Sequence, residues 1–231
     1  MTRTLEPAVD LRTLEEALEA SLAPHALLTH PFYRAWSDGC LSLGDLARYA
    51  EQYRYSVQAL PALLSAAEAA TEDAESRSTL RRNLDEEEGR VGPAHAQLWE
   101  QFACAVGGKD PAQPLPETDQ AGRALTEAMG DDEVSQLAAL WAYEVQTARV
   151  AETKEAGLRR YGVEAPEALA FFRMHGALDV HHARALLEAL GRALGRGGTL
   201  EQATTAVRRS AGAQWRFLDG VERLRQDRLA A

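Results

Sequence analysis

Apolar residues recur along this chain at three- and four-residue intervals, the period of one helix face, and no stretch gives a competing strand signal. Residues 10 to 22 read as a first amphipathic helix ending near Pro24. The segment "THPFYRAW" is predicted to be helical after Pro31, since proline suits a first helical turn. Ser42, with Asp45 three residues on, caps the next helix. That helix runs through "DLARYAEQYRYSVQAL" and is expected to bend or break at Pro61. Another covers roughly 73 to 91 and resumes beyond Gly92-Pro93 as "PAHAQLWEQFACAVG". The stretch "GGKDPAQPLPE", 107 to 117, is the clearest loop. A short helix near 119 to 129 follows, then a long one at about 132 to 161, opened by Asp131 and Asp132 and closed by Gly162. Pro166 starts the next helix and "GRGG" ends it, while Thr199 and Gln202 form a capping box for the last. The expectation is all-α: one domain over residues 1–231, a bundle of about seven or eight helices, with 1–9 and 226–231 as frayed tails.

Composition narrows the partners. At 231 residues the chain can bury a sizeable core. A net charge of −10 argues against a nucleic-acid binder, which would carry a basic stripe. No stretch is long and apolar enough to span a bilayer, and the first twenty residues lack the apolar core of a signal peptide. Cys40 and Cys104 show no framework spacing and read as free thiols. The expectation is a cytoplasmic protein with neither nucleic acid nor membrane as partner. One bias stands out: of 25 Lys+Arg, only Lys109 and Lys154 are lysines. Lysine can become a neutral amine where arginine cannot.

The chemistry concentrates in "FRMHGALDVHHARALLEAL". At about 100° per residue, His175, Asp179 and His182 fall within an arc of about 60° and share their face with core positions. Histidine with carboxylate at this spacing suits iron or manganese. His181 points elsewhere and reads as packing or surface. A bundle site also needs ligands from facing helices. Glu88 and His95 are seven residues apart, with Gly92-Pro93 between them, and the run Glu86, Glu87, Glu88 leaves open which carboxylate turns inward. Glu144 sits in the apolar stretch "LAALWAYEVQTARV", where an unpaired carboxylate is costly. Glu88, His95, Glu144, His175, Asp179 and His182 are enough donors for two metal ions with open positions. The set lacks the paired Glu-x-x-His motifs of ferritin-like bundles.

This pattern resembles the heme-oxygenase-like di-metal oxidases over nearly the whole chain. The segments "HPFYRAW", "LARYAEQY", "YEVQTARVAETKEAGL" and "MHGALDVHHAR" are similar to the branch named for a death-domain-associating protein (CADD-like), whose members are self-sacrificing para-aminobenzoate synthases in a folate route. The resemblance implies that Tyr33 supplies the aromatic ring, that Lys154 supplies the amine, and that Tyr49 or Tyr143 takes part in a radical relay. It also implies two metal ions, Fe/Fe or Fe/Mn, with O2 and an external reductant as co-substrates, and a homodimer. Ten residues of helix separate Lys154 from Glu144, about 15 Å of rise and roughly 80° of turn, so Lys154 is not expected to reach the metals without a bulge or bend. Tyr53 and Tyr55 share the Tyr49 helix, and at least one of the three is expected to be plain packing. Two other readings remain: an oxidase of an external fatty acid or amino acid, and a non-enzymatic helical interaction module, which the ligand pattern disfavours.

Overall fold

A computed structural model describes residues 10–110 and 113–231. Among these, nine α-helices form and no strand does: α1 (Leu11–Leu22), α2 (Pro31–Ser37), α3 (Leu43–Ala70), α4 (Ala74–Glu87), α5 (His95–Ala105), α6 (Pro116–Met129), α7 (Glu133–Leu158), α8 (Pro166–Gly195) and α9 (Leu200–Ala230). The caps act as the sequence suggests. Ser42 and Asp45 close a reciprocal capping box on α3, and Thr199 and Gln202 close another on α9.

Three expectations change. Helix α3 continues through Pro61. Leu60 and Leu64 bury on either side of it, and that burial outweighs the one backbone bond the proline forfeits. The helix expected over 73 to 91 stops at Glu87. Gly89 takes φ 76°, and a Cβ there would lie 2.7 Å from the Ala94 backbone nitrogen, so only glycine permits the tight reversal that starts α5 at His95. The C-terminal segment 226–230 is helical rather than frayed. Arg228 reaches Asp45 of α3 at 2.8 Å and ties α9 down. The other expected tail, 1–9, lies outside the described residues.

Helix α7 is the axis of the bundle. It packs along α8 and α9, and its faces are buried nearly all round. Two apolar bodies meet across it. One is aliphatic, built from Leu14, Leu18, Leu64, Leu137 and Leu187 around Trp141. The other is aromatic, with Phe32, Trp36, Tyr49, Trp99, Phe102 and Phe172 in mutual contact. Each such fully buried side chain contributes about 1.5–3 kcal/mol. Because α7 carries both Glu144 and Lys154, it fixes the distance between the two chemical regions below. Among the described residues, no helix is long and apolar enough to cross a membrane.

Candidate metal centre and tyrosine cluster

Helix α8 is opened by Pro166 and runs unbroken, so the spacing of its polar residues survives as one stripe. His175 and Asp179 are buried and His182 nearly so. Helices α4, α5 and α7 bring Glu87, His95 and Glu144 to the same place. One donor atom from each of Glu87, His95 and His175 lies within 4.8 Å of the other two; the same holds for Glu144, Asp179 and His182. His175 Nδ1 donates to the Phe171 carbonyl at 2.8 Å, which leaves the Nε2 lone pair free. Burial, with His95 close by, drops the His175 pKa to about 3, so the ring is neutral and ready to ligate. Asn83, one turn before Glu87, donates to Glu144 at 2.9 Å and orients it.

Polar satisfaction tests whether a metal fits. His95 Nδ1 comes within 2.8 Å of Glu87, yet not in hydrogen-bonding geometry. Neither ring nitrogen of His95 has a hydrogen-bond partner, nor does Asp179 Oδ2 or His182 Nδ1. Buried polar atoms are almost always paired. Burial raises the Asp179 carboxyl well above its usual range, and Glu144, Glu87 and Glu86 add to this. Burial raises Glu144 too, against the opposing pull of His182 and Asn83. Among the described residues, no lysine or arginine pairs with Glu87, Glu144 or Asp179. Carboxylates crowded like this need positive charge. Three carboxylates and three imidazoles in two groups fit a pair of first-row ions such as iron.

The structure corrects one ligand. Glu88 is the C-cap of α4, and it turns outward to Arg90 at 2.6 Å. Glu87 is the carboxylate that faces inward, eight positions from His95. The spacing of seven suggested Glu88 only if the helix continued, and it does not. Glu86 also turns toward the site, at 2.7 Å from His182 Nε2.

A second cluster lies farther along α7. Lys154 is buried, and its Nζ donates to the Tyr49 hydroxyl at 2.5 Å. Nζ sits 4.8 Å from the centroid of the Tyr33 ring. Desolvation lowers the Lys154 pKa to about 7, so a neutral amine is accessible near neutral pH. The Tyr33 and Tyr49 hydroxyls are 3.1 Å apart. The Tyr143 hydroxyl meets that of Tyr53 at 2.9 Å, and Tyr53 stacks on Tyr49 with centroids 5.6 Å apart. Burial pushes all four phenols upward, which keeps them protonated. Lys154 thus meets tyrosines rather than ligand residues. The straight helix carries it away from Glu144, as its geometry requires, and no bulge appears.

Tyr33 owes its position to the mounting of α2. The buried His30 caps this helix, its Nδ1 accepting from Phe32 N at 3.1 Å while its Nε2 lies 3.1 Å from Asp219. Trp36 donates to the Lys154 carbonyl at 3.2 Å and lies against Gly157, where a Cβ would come within 2.5 Å of the indole. An apolar cavity opens beside the cluster, reached by Tyr33, Tyr53, Tyr143, Lys154, Leu125 and Phe217. Asn83 carries no motif in the sequence, Glu87 is only one of three candidate carboxylates there, and Tyr53 is given no role. The available signal was helical register: Tyr53 is one turn from Tyr49, and Asn83 one turn from Glu87.

Residues 47–215 match the family described as iron-containing redox enzymes. That stretch holds both donor groups, Tyr49, Tyr53, Tyr143 and Lys154; Tyr33 precedes it. A 4-aminobenzoate synthase of Nitrosomonas europaea is 33% identical over 225 residues, covering 90% of this chain and 91% of its own. One of the same name from Chlamydia muridarum is 38% identical over 77% of this chain and 78% of its own. Among solved structures, a TenA homologue from Pseudomonas syringae superimposes with a TM-score of 0.79 at 18% identity, covering 96% of this chain and 99% of that one. A CADD-like protein from Nostoc punctiforme gives 0.74 at 17% identity, covering 91% and 96%. A heme-oxygenase-like domain from Shewanella denitrificans gives 0.71 at 18% identity, covering 95% of each chain. These structural likenesses establish the heme-oxygenase-like fold, and the matched sequence establishes the family: this chain belongs to the iron-containing redox enzymes.

Proposed function

We propose that this protein forms 4-aminobenzoate from its own Tyr33, with the nitrogen of Lys154, in an oxygen-dependent reaction at two metal ions. The observation that carries the reading is the burial of the Lys154 amine against the Tyr33 ring, 4.8 Å from its centroid, in a chain otherwise nearly free of lysine. Relatives named 4-aminobenzoate synthase support it.

Glu87, His95 and His175 would hold one ion, and Glu144, Asp179 and His182 the other. As Fe/Fe or Fe/Mn, loaded and supplied with reductant, they contribute the activation of dioxygen. The remaining work falls to the chain. Tyr49 orients both reactants, hydrogen-bonding the Tyr33 phenol on one side and the Lys154 amine on the other. The aromatic wall excludes water. In the overall change the Tyr33 Cα–Cβ bond breaks, with a hydrogen taking the place of the side chain at Cα, and Cβ is oxidised to the carboxylate with dioxygen as oxidant; the Lys154 Cε–Nζ bond breaks as its nitrogen replaces the phenolic oxygen, which leaves as water, and Cε is left at the aldehyde level. Each chain turns over once, because Tyr33 and the Lys154 amine are consumed. The product would feed folate synthesis.

The test starts from metal-free protein, loaded anaerobically with iron alone or with iron and manganese, then given oxygen and reductant. Peptide mass spectra should show loss of the Tyr33 side chain, with an equal amount of 4-aminobenzoate released. The apolar cavity beside the cluster supports a second reading, oxidation of an external small substrate. An intact Tyr33 with continued oxygen consumption would favour that one.

A further inference from the structure

We infer that Tyr53 is the relay that carries one-electron oxidation from the metal centre to the Tyr33–Tyr49–Lys154 cluster, an inference that rests on the function proposed above. Among the described residues, no hydrogen bond joins Tyr33, Tyr49 or Lys154 to any of the six metal-binding candidates. Tyr53 touches both sides of that gap. Its hydroxyl is 2.9 Å from that of Tyr143, the neighbour of Glu144. Its ring lies nearly parallel to Tyr49, with centroids 5.6 Å apart and 16° between planes. It lines the small cavity formed with Glu87, Tyr143, Glu144 and His175, and also the apolar cavity that Tyr33 and Lys154 line. The adjacent Trp99 is oxidisable too, but its indole N–H is committed to the Ala50 carbonyl at 2.9 Å and it lines neither cavity.

Tyr53 would give one electron to the oxidised metal site and be refilled by one electron from Tyr49 across the stacked rings, its phenolic proton staying within the hydrogen bond to Tyr143 throughout. The proton released by Tyr49 passes to the neutral amine of Lys154, 2.5 Å away. Tyr33 finally gives a hydrogen atom to the Tyr49 phenoxyl across 3.1 Å. The net result is a Tyr33 phenoxyl, a protonated Lys154 and one electron gained at the metal site.

Tyr53→Phe separates relay from packing, because it keeps the ring and removes the oxidisable phenol. The variant and the wild-type protein, labelled with ring-deuterated tyrosine, would be loaded with iron, mixed with oxygen and reductant, and freeze-quenched for electron paramagnetic resonance. Tyr33 loss would be followed by peptide mass. The expected variant binds the same metal and consumes oxygen, but shows no phenoxyl signal and loses Tyr33 at least tenfold more slowly. Tyr33 loss at the wild-type rate overturns the relay. Should the variant fail to fold, 3-fluorotyrosine at position 53 keeps the hydroxyl, and fluorine hyperfine splitting in the radical signal supports the relay while its absence overturns it. An intact Tyr33 in the wild-type protein overturns the proposed function, and the relay with it.

Discussion

The two chemical regions are built on opposite principles. Around Glu144 and His175, several buried polar atoms converge without hydrogen-bond partners, the arrangement expected of a site that takes a cation. Around Lys154 and Tyr33, every phenol has a hydrogen-bonded neighbour and the one amine is held inside an aromatic wall. The first region is incomplete without a ligand; the second is complete as folded. Organised this way, the proposed reaction would take its oxidising agent from outside and keep both reactants inside the chain.

The largest effect that would break this contrast is loss of a donor. Glu87→Ala and His175→Ala each remove one corner of the same group, so each should weaken that ion at least ~100-fold, about 2.8 kcal/mol. Metal analysis of the loaded variants should fall from two ions toward one, with no 4-aminobenzoate formed. A full complement of metal in both variants would show that these residues are not ligands. Tyr33→Phe should behave in the opposite way. It keeps both ions, yields no product, and costs about 1 kcal/mol for the lost hydroxyl bond to Tyr49. Product from that variant would remove Tyr33 as the source of the ring.

The same contrast explains what was legible in the sequence. His175, Asp179 and His182 lie on one unbroken helix, so periodicity alone places them on one stripe. Glu144 shows as a carboxylate in an apolar run. The nearby carboxylate was misassigned because α4 ends at Glu87, and Gly89 with its positive φ shifts the register in a way spacing cannot reveal. The tyrosine cluster is tertiary: Tyr33 from α2, Tyr49 and Tyr53 from α3, and Tyr143 and Lys154 from α7 meet only once the bundle closes. Only a family resemblance drew Tyr33 and Lys154 together, and it gave Tyr53 no role.

Lys154 offers the next largest effect, and its sign is defined. Its folded-state pKa, about 7, lies below the ordinary 10.5 because burial penalises the ammonium. Below about pH 7 the amine is charged in both folded and unfolded states and the full penalty weakens the fold. Between about pH 7 and 10.5 the unfolded chain holds the extra proton, so this residue's contribution to stability rises with pH and the penalty is gone above that range. Lys154→Met should therefore stabilise the metal-free protein by up to a few kcal/mol at pH 6, with the gain vanishing near pH 10. Urea melts across that range measure it, and a gain independent of pH would mean that Lys154 is not buried as charge. Gly157→Ala comes next, at about 1–3 kcal/mol for the clash with Trp36. It should slow Tyr33 loss by displacing α2 while leaving metal content unchanged; a fall in metal content would tie the two regions more tightly than their separate hydrogen bonding indicates.

The smallest effect is the most discriminating for the ligand correction. Glu88 is adjacent in sequence to Glu87, yet its carboxylate is 36% exposed and engages Arg90, itself 53% exposed. Exposed pairs of this kind contribute about 0–1 kcal/mol, because water screens them and two long side chains must be held still. Glu88→Ala should leave stability within about 0.5 kcal/mol of wild type. Both ions and the yield of 4-aminobenzoate should also be unchanged. The Glu87→Ala protein prepared alongside it should lose metal. If the Glu88 variant loses an ion and the Glu87 variant keeps both, then metal binding unwinds the last turn of α4 and rotates its acidic run by one residue. Because Gly89 and Gly92 already allow a sharp reversal there, that rotation would be confined to the segment between Leu84 and His95, and a difference in protease cleavage between metal-free and loaded protein would locate it.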